Sequence, residues 1–320
     1  MSIALETNCP LAPGLSVVVP VYNSAASLPQ LVDRLAPVLL ATGRDHELIL
    51  VNDGSRDDSW PVIQRLANQH PWVRGICMMR NYGQHNAVLA GLRRARFEIT
   101  VTMDDDLQHP PEELPLLLAK LSPEVDVVYG APAQEPHGVV RNLSSIVTKL
   151  VLQGATGAEN ARMVSAYRVL RTQVRDAFSS YDSPFVSVDV LLTWGTTRFT
   201  AIRVRHEPRS SGHSNYTYRK LLHHAVNLLT GFSVMPLQLA SFIGFAFTLF
   251  GLGVLTYVIS RYLITGNSVA GFPFLASIIA IFSGAQLFAL GIIGEYLARM
   301  HFRTMHKPTY TIKATTLDSR

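Results

Sequence analysis

Short apolar runs and amphipathic stretches alternate along the first part of the chain. The runs at 15–20, 46–51, 73–79, 98–103 and 125–129 are rich in Val, Ile and Leu and have the length of buried strands. Between them, apolar positions recur at helical spacing over 27–40, from a helix opening near Asp57, over 84–95, and after Pro110-Pro111-Glu112. Ser55 or Asp57 is placed to cap the second of these helices. Strands separated by helices predict an α/β domain, Rossmann-like, on a mostly parallel sheet covered on both faces. Ligands of such sheets bind outside the carboxyl ends of the strands. The polar clusters fall at those ends: Tyr22-Asn23-Ser24 after the first, Asn52-Asp53-Gly54-Ser55 after the second, and Asp104-Asp105-Asp106 after the fourth.

The pattern changes after Lys220. No Asp, Glu, Lys or Arg occurs from 221 to 260, and after Arg261 none occurs from 262 to 294. A helix needs about 20 apolar residues to cross the hydrocarbon core, so 234–260 and 272–294 predict two transmembrane helices. The connection between them carries only Arg261. The outer flanks carry Arg205, Arg209, Arg219 and Lys220 before the pair and Arg299, Arg303, Lys307 and Lys313 after it. Positive-inside counting then puts both the N-terminal domain and the C-terminal tail in the cytoplasm. Leu221, Leu222, Ala225, Leu228 and Leu229 lie at helical spacing with polar residues between, which predicts an interfacial helix leading into the bilayer. The expected division is a cytoplasmic domain over 1–215, an interfacial helix over 216–233, a transmembrane hairpin over 234–298 and a cytoplasmic tail over 299–320.

Composition narrows the reading. Charged residues are 16% of the chain, against roughly 25% in soluble proteins. Cys9 and Cys77 have no ligand-like spacing, and Cys77 lies in an apolar run, so a buried free thiol is expected there. The first residues have neither the basic start nor the apolar run of a signal peptide. The net charge of +5 is concentrated from 198 to 220 without an aromatic-and-basic recognition motif, which favours anionic lipid or phosphate over nucleic acid. Neither a Gly-x-Gly-x-x-Gly turn nor a phosphate-cradling P-loop follows a strand. A bound diphosphate would then be neutralised by a divalent metal, Mg²⁺ or Mn²⁺, on oxygen ligands. Asp104, Asp106 and Gln108 offer such oxygens at alternate positions of a strand end.

Several stretches occur together and in order: Val19-Pro20-Val21-Tyr22-Asn23, Val51-Asn52-Asp53-Gly54-Ser55, Arg80-Asn81-Tyr82-Gly83-Gln84-His85-Asn86-Ala87, Asp104 through Glu112, and Arg209-Ser210-Ser211-Gly212-His213-Ser214-Asn215-Tyr216. With them the chain resembles the polyprenyl-phosphate glycosyltransferases of the dolichol-phosphate mannose synthase type, in glycosyltransferase family 2 with the GT-A fold. Within that family it is most similar to the bacterial branch that loads undecaprenyl phosphate, including the formamido-arabinose transferases of lipid A modification. The resemblance implies that Pro20, Tyr22, Asn23, Asp53, Asp104, Asp105 and Arg141 hold the nucleotide sugar. It implies that Asp104, Asp106 and Gln108 hold the metal, and that Arg141, Arg209 and Ser214 face the acceptor phosphate. It also implies a bacterial inner-membrane location. The chain departs from the family pattern at Ser24 and Asn52, where acidic residues are usual, at Gly130-Ala131-Pro132, where an arginine is usual, and at Asn215, where a lysine is usual.

A lipid monophosphate is largely dianionic at neutral pH, since its second pKa is near ~6, and needs no general base. The task is then in-line positioning and stabilisation of the departing nucleoside diphosphate. Asp189 is the remaining carboxylate for a catalytic or sugar contact. Homo-oligomers through the hairpin and the tail, where Tyr310-Thr311-Ile312 has strand character, are also expected. Two rival classes are a processive polysaccharide synthase and a non-enzymatic membrane scaffold. The first usually carries Gln-x-x-Arg-Trp and further spanning helices, which the chain lacks. The second predicts loss of the aspartates, which are present.

Overall fold

The computed structural model describes residues 11–132, 164–207, 235–266, 271–305 and 307–316. Eight strands form one mixed sheet: β1 Ala12–Val21, β2 His46–Asn52, β3 Val73–Met78, β4 Phe97–Thr102, β5 Val127–Pro132, β6 Arg168–Arg171, β7 Phe199–Val204 and β8 Ile312–Thr315. Their order across the sheet is β7-β5-β6-β4-β1-β2-β3-β8. The block β3-β2-β1-β4 is parallel, and β6 and β8 run antiparallel to their neighbours. The first five strands fall where the apolar runs predict them.

Helices α1 Leu28–Ala41, α2 Ser59–Gln69 and α3 Gln84–Arg94 connect the parallel strands, and α4 Leu114–Leu118 and α5 Val188–Gly195 follow. Helix α1 buries Leu28, Leu31, Val32, Leu35 and Leu39, the spacing of one helical face. Strand β1 is buried on both sides, so it reads as a continuous apolar run without alternation. Its successive side chains nevertheless divide: Val17, Val19 and Val21 enter the core cluster beneath α1, while Val18 joins Ile49, Val51 and Ala87 beneath α3. Helix α3 lies close on β1 because it carries Gly91 there; a Cβ at that position would come within 2.2 Å of Val18 Cγ1.

The chain runs outward from β1 through β2 to β3 and then returns to β4 on the other side of β1. That reversal leaves a crevice at the carboxyl ends of β1 and β4. The strands the apolar pattern does not announce are short or polar. Strand β6 has four residues and begins and ends on arginine, and β8 returns to the sheet edge beside β3 after the apolar helices. The strand character at 310–312 is thus used within the same chain. Cys77 is a buried free thiol, as expected.

The chain divides into two units, Met1–His223 with His306–Arg320, and His224–Met305. The second holds α6 Met235–Thr265 and α7 Phe272–Thr304, both long and apolar enough to cross a membrane. Apolar side chains along them, such as Phe242, Leu263 and Leu287, stand exposed. Phe247 and Phe282 meet edge-on at 5.6 Å between ring centroids, holding the two helices together.

Candidate active site

Three loops converge on the crevice, joined by carboxylates that each have a different partner. Asp53, at the end of β2, is buried and accepts from two backbone amides, Tyr82 N–H at 2.7 Å and Gly83 N–H at 2.8 Å. Burial pushes its carboxyl above the ordinary value, and the two amides oppose that shift. Asp53 therefore braces the turn before α3. Gly83 ends that turn at φ +99°, and the next side chain, Gln84, donates Nε2–H to Asp104 Oδ1 at 2.6 Å.

The aspartate triplet follows β4. Asp105 accepts from Tyr22 N–H at 3.2 Å, and the Ser24 hydroxyl beside it donates to Tyr22 C=O at 3.2 Å. Burial pushes the Asp105 carboxyl up, against the hydrogen bond from Tyr22. Asp106 Oδ1 accepts from Gln108 N–H at 3.1 Å, and the intervening Leu107 is buried with φ +61°. A left-handed leucine is uncommon, and its burial shows what holds the turn in that shape. Asn23 is also left-handed, at φ 55°, and bonds the β2 loop through Ser55 Oγ and Arg56 N–H. Pro20 is buried within β1, and Tyr22 is exposed at its end.

Beside this rim lies a buried ion pair. Arg168 of β6 donates to Asp189 near the start of α5, and its Nε–H reaches Thr102 Oγ1 at 2.9 Å. The Tyr129 hydroxyl donates to the same Asp189 oxygen at 3.2 Å, and burial drives its phenol pKa well up. Asp189 is thus held by two groups under the sheet end. His109, next to Gln108, is buried against the Tyr167 and His206 rings, and burial lowers its pKa to about 4.

Among the described residues no group of three or more His, Cys, Asp or Glu side chains is gathered for a metal. Asp104, Asp106 and Gln108 make a different set, two carboxylates and an amide oxygen. All are hard donors, suited to Mg²⁺ or Mn²⁺ that draws its remaining ligands from water and phosphate. The residues present fit a divalent cation arriving with a diphosphate. Arg141, Arg209, Ser214 and the interfacial stretch 216–233 lie outside the described residues. Sequence reasoning did not single out Gln84 or Arg168. Gln84 lies within the Arg80–Ala87 motif, but its link to Asp104 crosses 20 positions. Arg168 lies in a run with no chemical signature.

The β3-β2-β1-β4 block, the antiparallel β6 and the carboxylate loop at the switch point define a glycosyltransferase of the GT-A fold. The chain belongs to glycosyltransferase family 2: residues 16–172 match the family described as Glycosyl transferase family 2. It is 35% identical to an undecaprenyl-phosphate 4-deoxy-4-formamido-L-arabinose transferase of Shewanella sediminis (strain HAW-EB3), over 93% of this chain and 91% of the relative. A relative of the same name from Yersinia pestis (strain Pestoides F) is 32% identical, over 93% of this chain and 92% of its own. Among solved structures, the glucosyl-3-phosphoglycerate synthase of Mycobacterium tuberculosis with Mn²⁺, uridine diphosphate and phosphoglyceric acid has a TM-score of 0.51 at 16% identity. It covers 68% of this chain and 76% of that one, a likeness of fold.

Proposed function

We propose that this glycosyltransferase moves a sugar from a nucleoside diphosphate, a UDP-sugar, onto undecaprenyl phosphate at the cytoplasmic face of the bacterial inner membrane, with inversion and with Mg²⁺ or Mn²⁺. The observation that carries the reading is the Asp104–Gln108 loop tied to the Tyr22 loop at the switch point. It stands in a chain whose full-length relatives bear the name of an undecaprenyl-phosphate sugar transferase.

The Tyr22–Ser24 loop and the turn braced by Asp53 form the two banks between which the nucleoside would lie. Asp104, Asp106 and Gln108 would hold the metal, which supplies charge for the departing diphosphate. The acceptor phosphate is a dianion, so no side chain has to remove a proton from it. Arg141, Arg209 and Ser214 would bring it in line, behind the anomeric carbon. Attack from that side inverts the centre through a transition state with oxocarbenium character. Asp189, already paired with Arg168, is assigned to orienting the sugar end of the site rather than to acting as a base.

The location is supported by connectivity. The segments on either side of α6 and α7 both belong to the unit that holds the sheet. A pair of crossings returns the chain to the side it left, and the basic flanks favour the cytoplasm. The test is release of nucleoside diphosphate from a panel of UDP- and GDP-sugars by purified protein with undecaprenyl phosphate and Mn²⁺ or Mg²⁺. Release that needs lipid and metal supports the reading. Release without lipid dependence, or none from any donor, counts against it.

A further inference from the structure

The turn between β3 and α3 has both of its central residues pinned through every backbone polar group. Tyr82 and Gly83 give their amides to Asp53, at 2.7 and 2.8 Å. Their carbonyls are taken by Asn86 of α3, whose Nδ2–H donates to Tyr82 C=O at 2.6 Å and whose backbone N–H donates to Gly83 C=O at 3.0 Å. The peptide unit joining Tyr82 to Gly83 is thus held at both ends, its C=O by Asn86 and its N–H by Asp53. A peptide beside a glycine is the one most free to flip, and Gly83, at φ +99° and ψ 153°, sits in a region that other residues avoid. The next side chain is Gln84, whose Nε2–H reaches Asp104 Oδ1 at 2.6 Å.

Asn86 holds this turn at the expense of stability. It is 6% exposed, and its Oδ1 has no hydrogen-bond partner among the described residues. A buried amide oxygen left in that state is destabilising, and a small apolar side chain like that of its neighbour Ala87 would not incur the loss. The amide cannot turn over to relieve it, because Oδ1 would then face the Tyr82 carbonyl oxygen, acceptor against acceptor. The Nδ2 donor is therefore the part of the side chain in use, and the turn it serves is the one that delivers Gln84 to Asp104.

We infer that Asn86 is a positioning residue for the metal site: by locking the Tyr82–Gly83 peptide it fixes the direction from which Gln84 meets Asp104, and so the orientation of that carboxylate toward the cation. Outer partners of a metal-holding carboxylate are worth about 10–100-fold in metal affinity. The inference rests on the metal reading in the proposed function. Its effect is on the cation, since Asp53 keeps its hold on both amides when Asn86 is changed.

The experiment is Mn²⁺ binding to the purified protein in detergent with equimolar UDP, read from the electron paramagnetic resonance signal of the free ion. The samples are wild type, Gln84→Ala, Asn86→Ala, Asn86→Asp and the Gln84→Ala/Asn86→Ala double variant, and UDP binding in EDTA is measured beside them. Gln84→Ala should weaken Mn²⁺ by about ten-fold or more. Asn86→Ala should weaken it by about three- to ten-fold, the scale of one lost hydrogen bond. The double variant should be no weaker than Gln84→Ala alone, because Asn86 acts through that side chain. UDP affinity in EDTA should stay within about two-fold, as for an independent site. If Asn86→Ala does not fold, Asn86→Asp carries the test: it keeps the shape, sets an oxygen against the Tyr82 carbonyl, and should weaken Mn²⁺ at least as much. Unchanged Mn²⁺ affinity in the Asn86 variants, equal losses of Mn²⁺ and UDP, or losses that add to that of Gln84→Ala overturn the inference. A wild type that binds UDP but no Mn²⁺ overturns the metal reading instead, and this inference with it.

Discussion

The backbone amide of Tyr22 donates to the side chain of Asp105 at 3.2 Å, joining the ends of β1 and β4 across the point where the sheet reverses direction. The Ser24 hydroxyl lies beside the same carboxylate and donates to Tyr22 C=O at 3.2 Å. The middle aspartate of the triplet is therefore a tie between two loops, while Asp104 and Asp106 bond to Gln84 and to the Gln108 amide. Hydrogen bonds to a charged group are worth about 1.5–3 kcal/mol each. Asp105→Ala should loosen the Tyr22 loop and weaken nucleotide binding by about ten-fold or more, read by titration calorimetry with UDP and Mn²⁺. Asp105→Asn keeps one acceptor oxygen and should lose less. An unchanged affinity in Asp105→Ala would mean that the Tyr22 loop does not meet the nucleotide.

On the proposed reading Asp106→Asn should lower turnover by about a hundred-fold or more, since stabilisation of developing charge is usually the largest single contribution to catalysis. The Mn²⁺ concentration for half-maximal activity should rise with it. Gln84→Ala removes only the side chain that orients Asp104 and should cost less than Asp104→Asn. A metal titration of the three variants beside wild type separates the two effects. Full activity of Asp106→Asn would remove the triplet from the metal reading.

Much of this was legible before any coordinates. The first five strands and the polar clusters at their ends follow from runs of β-branched residues ending in Asn, Asp and Ser. Antiparallel strand β6, Arg168–Arg171, was not legible, because four residues give no periodicity to read, and of β8, Ile312–Thr315, only the strand character at 310–312 was. Strand β7 is hidden differently: its residues open the basic stretch 198–220, and its pairing with β5 is a tertiary fact. The same limit applies to the site. That aspartates gather at the strand ends is a local pattern, but Asp53 holding Tyr82 and Gly83, or Arg168 holding Asp189, needs the fold.

Gly54 tests the brace at Asp53. Its φ is +63°, and a Cβ there would stand 2.5 Å from both the Arg80 carbonyl carbon and the Asn81 nitrogen. These are backbone atoms that cannot swing away. Gly54→Ala should destabilise the domain by about 1–3 kcal/mol, with a fall of roughly 2–4 °C in Tm per kcal/mol. Because the displaced backbone is the turn that Asp53 holds, nucleotide affinity should fall as well. Thermal unfolding and calorimetry on the same sample check both, and an unchanged Tm would show that the turn accommodates the methyl.

Glu47 governs acid stability at the opposite end of the sheet. Burial alone would push its carboxyl up, but Arg74 at 2.5 Å, Ser16 at 2.7 Å and the Arg96 amide at 2.8 Å outweigh that and hold it below its ordinary value of 4.5. A depressed carboxyl contributes stability that is fully present above the unfolded-state pKa and is lost as pH falls through the folded one. Glu47→Gln should therefore be less stable than wild type at pH 7, by about 1–3 kcal/mol. The difference should shrink as pH falls below about 4.5. Parallel melting curves in detergent from pH 3 to 8 check the sign; a constant difference across that range would mean that Glu47 is not charged in the folded protein.

The stretch after α7 is part of the sheet, and its removal should behave accordingly. Strand β8 pairs with β3 from Ile76 opposite Thr315 to Met78 opposite Ile312. On either side of those pairs, Met79 N–H reaches Thr311 C=O at 2.9 Å and Gly75 N–H reaches Thr316 Oγ1 at 2.9 Å. Tyr310 and Ile312 pack on the cluster beneath α3. Deleting 307–320 would strip these partners from β3 and leave a row of open backbone groups, the usual template for edge-to-edge association. The truncated protein should melt lower and aggregate in size-exclusion chromatography, whereas Lys313→Ala, on an exposed side chain, should match wild type. A free tail predicts the reverse for the deletion, a monodisperse protein with an unchanged Tm. That outcome would also count against the proposed pair of crossings, which is supported by the return of the chain to β3.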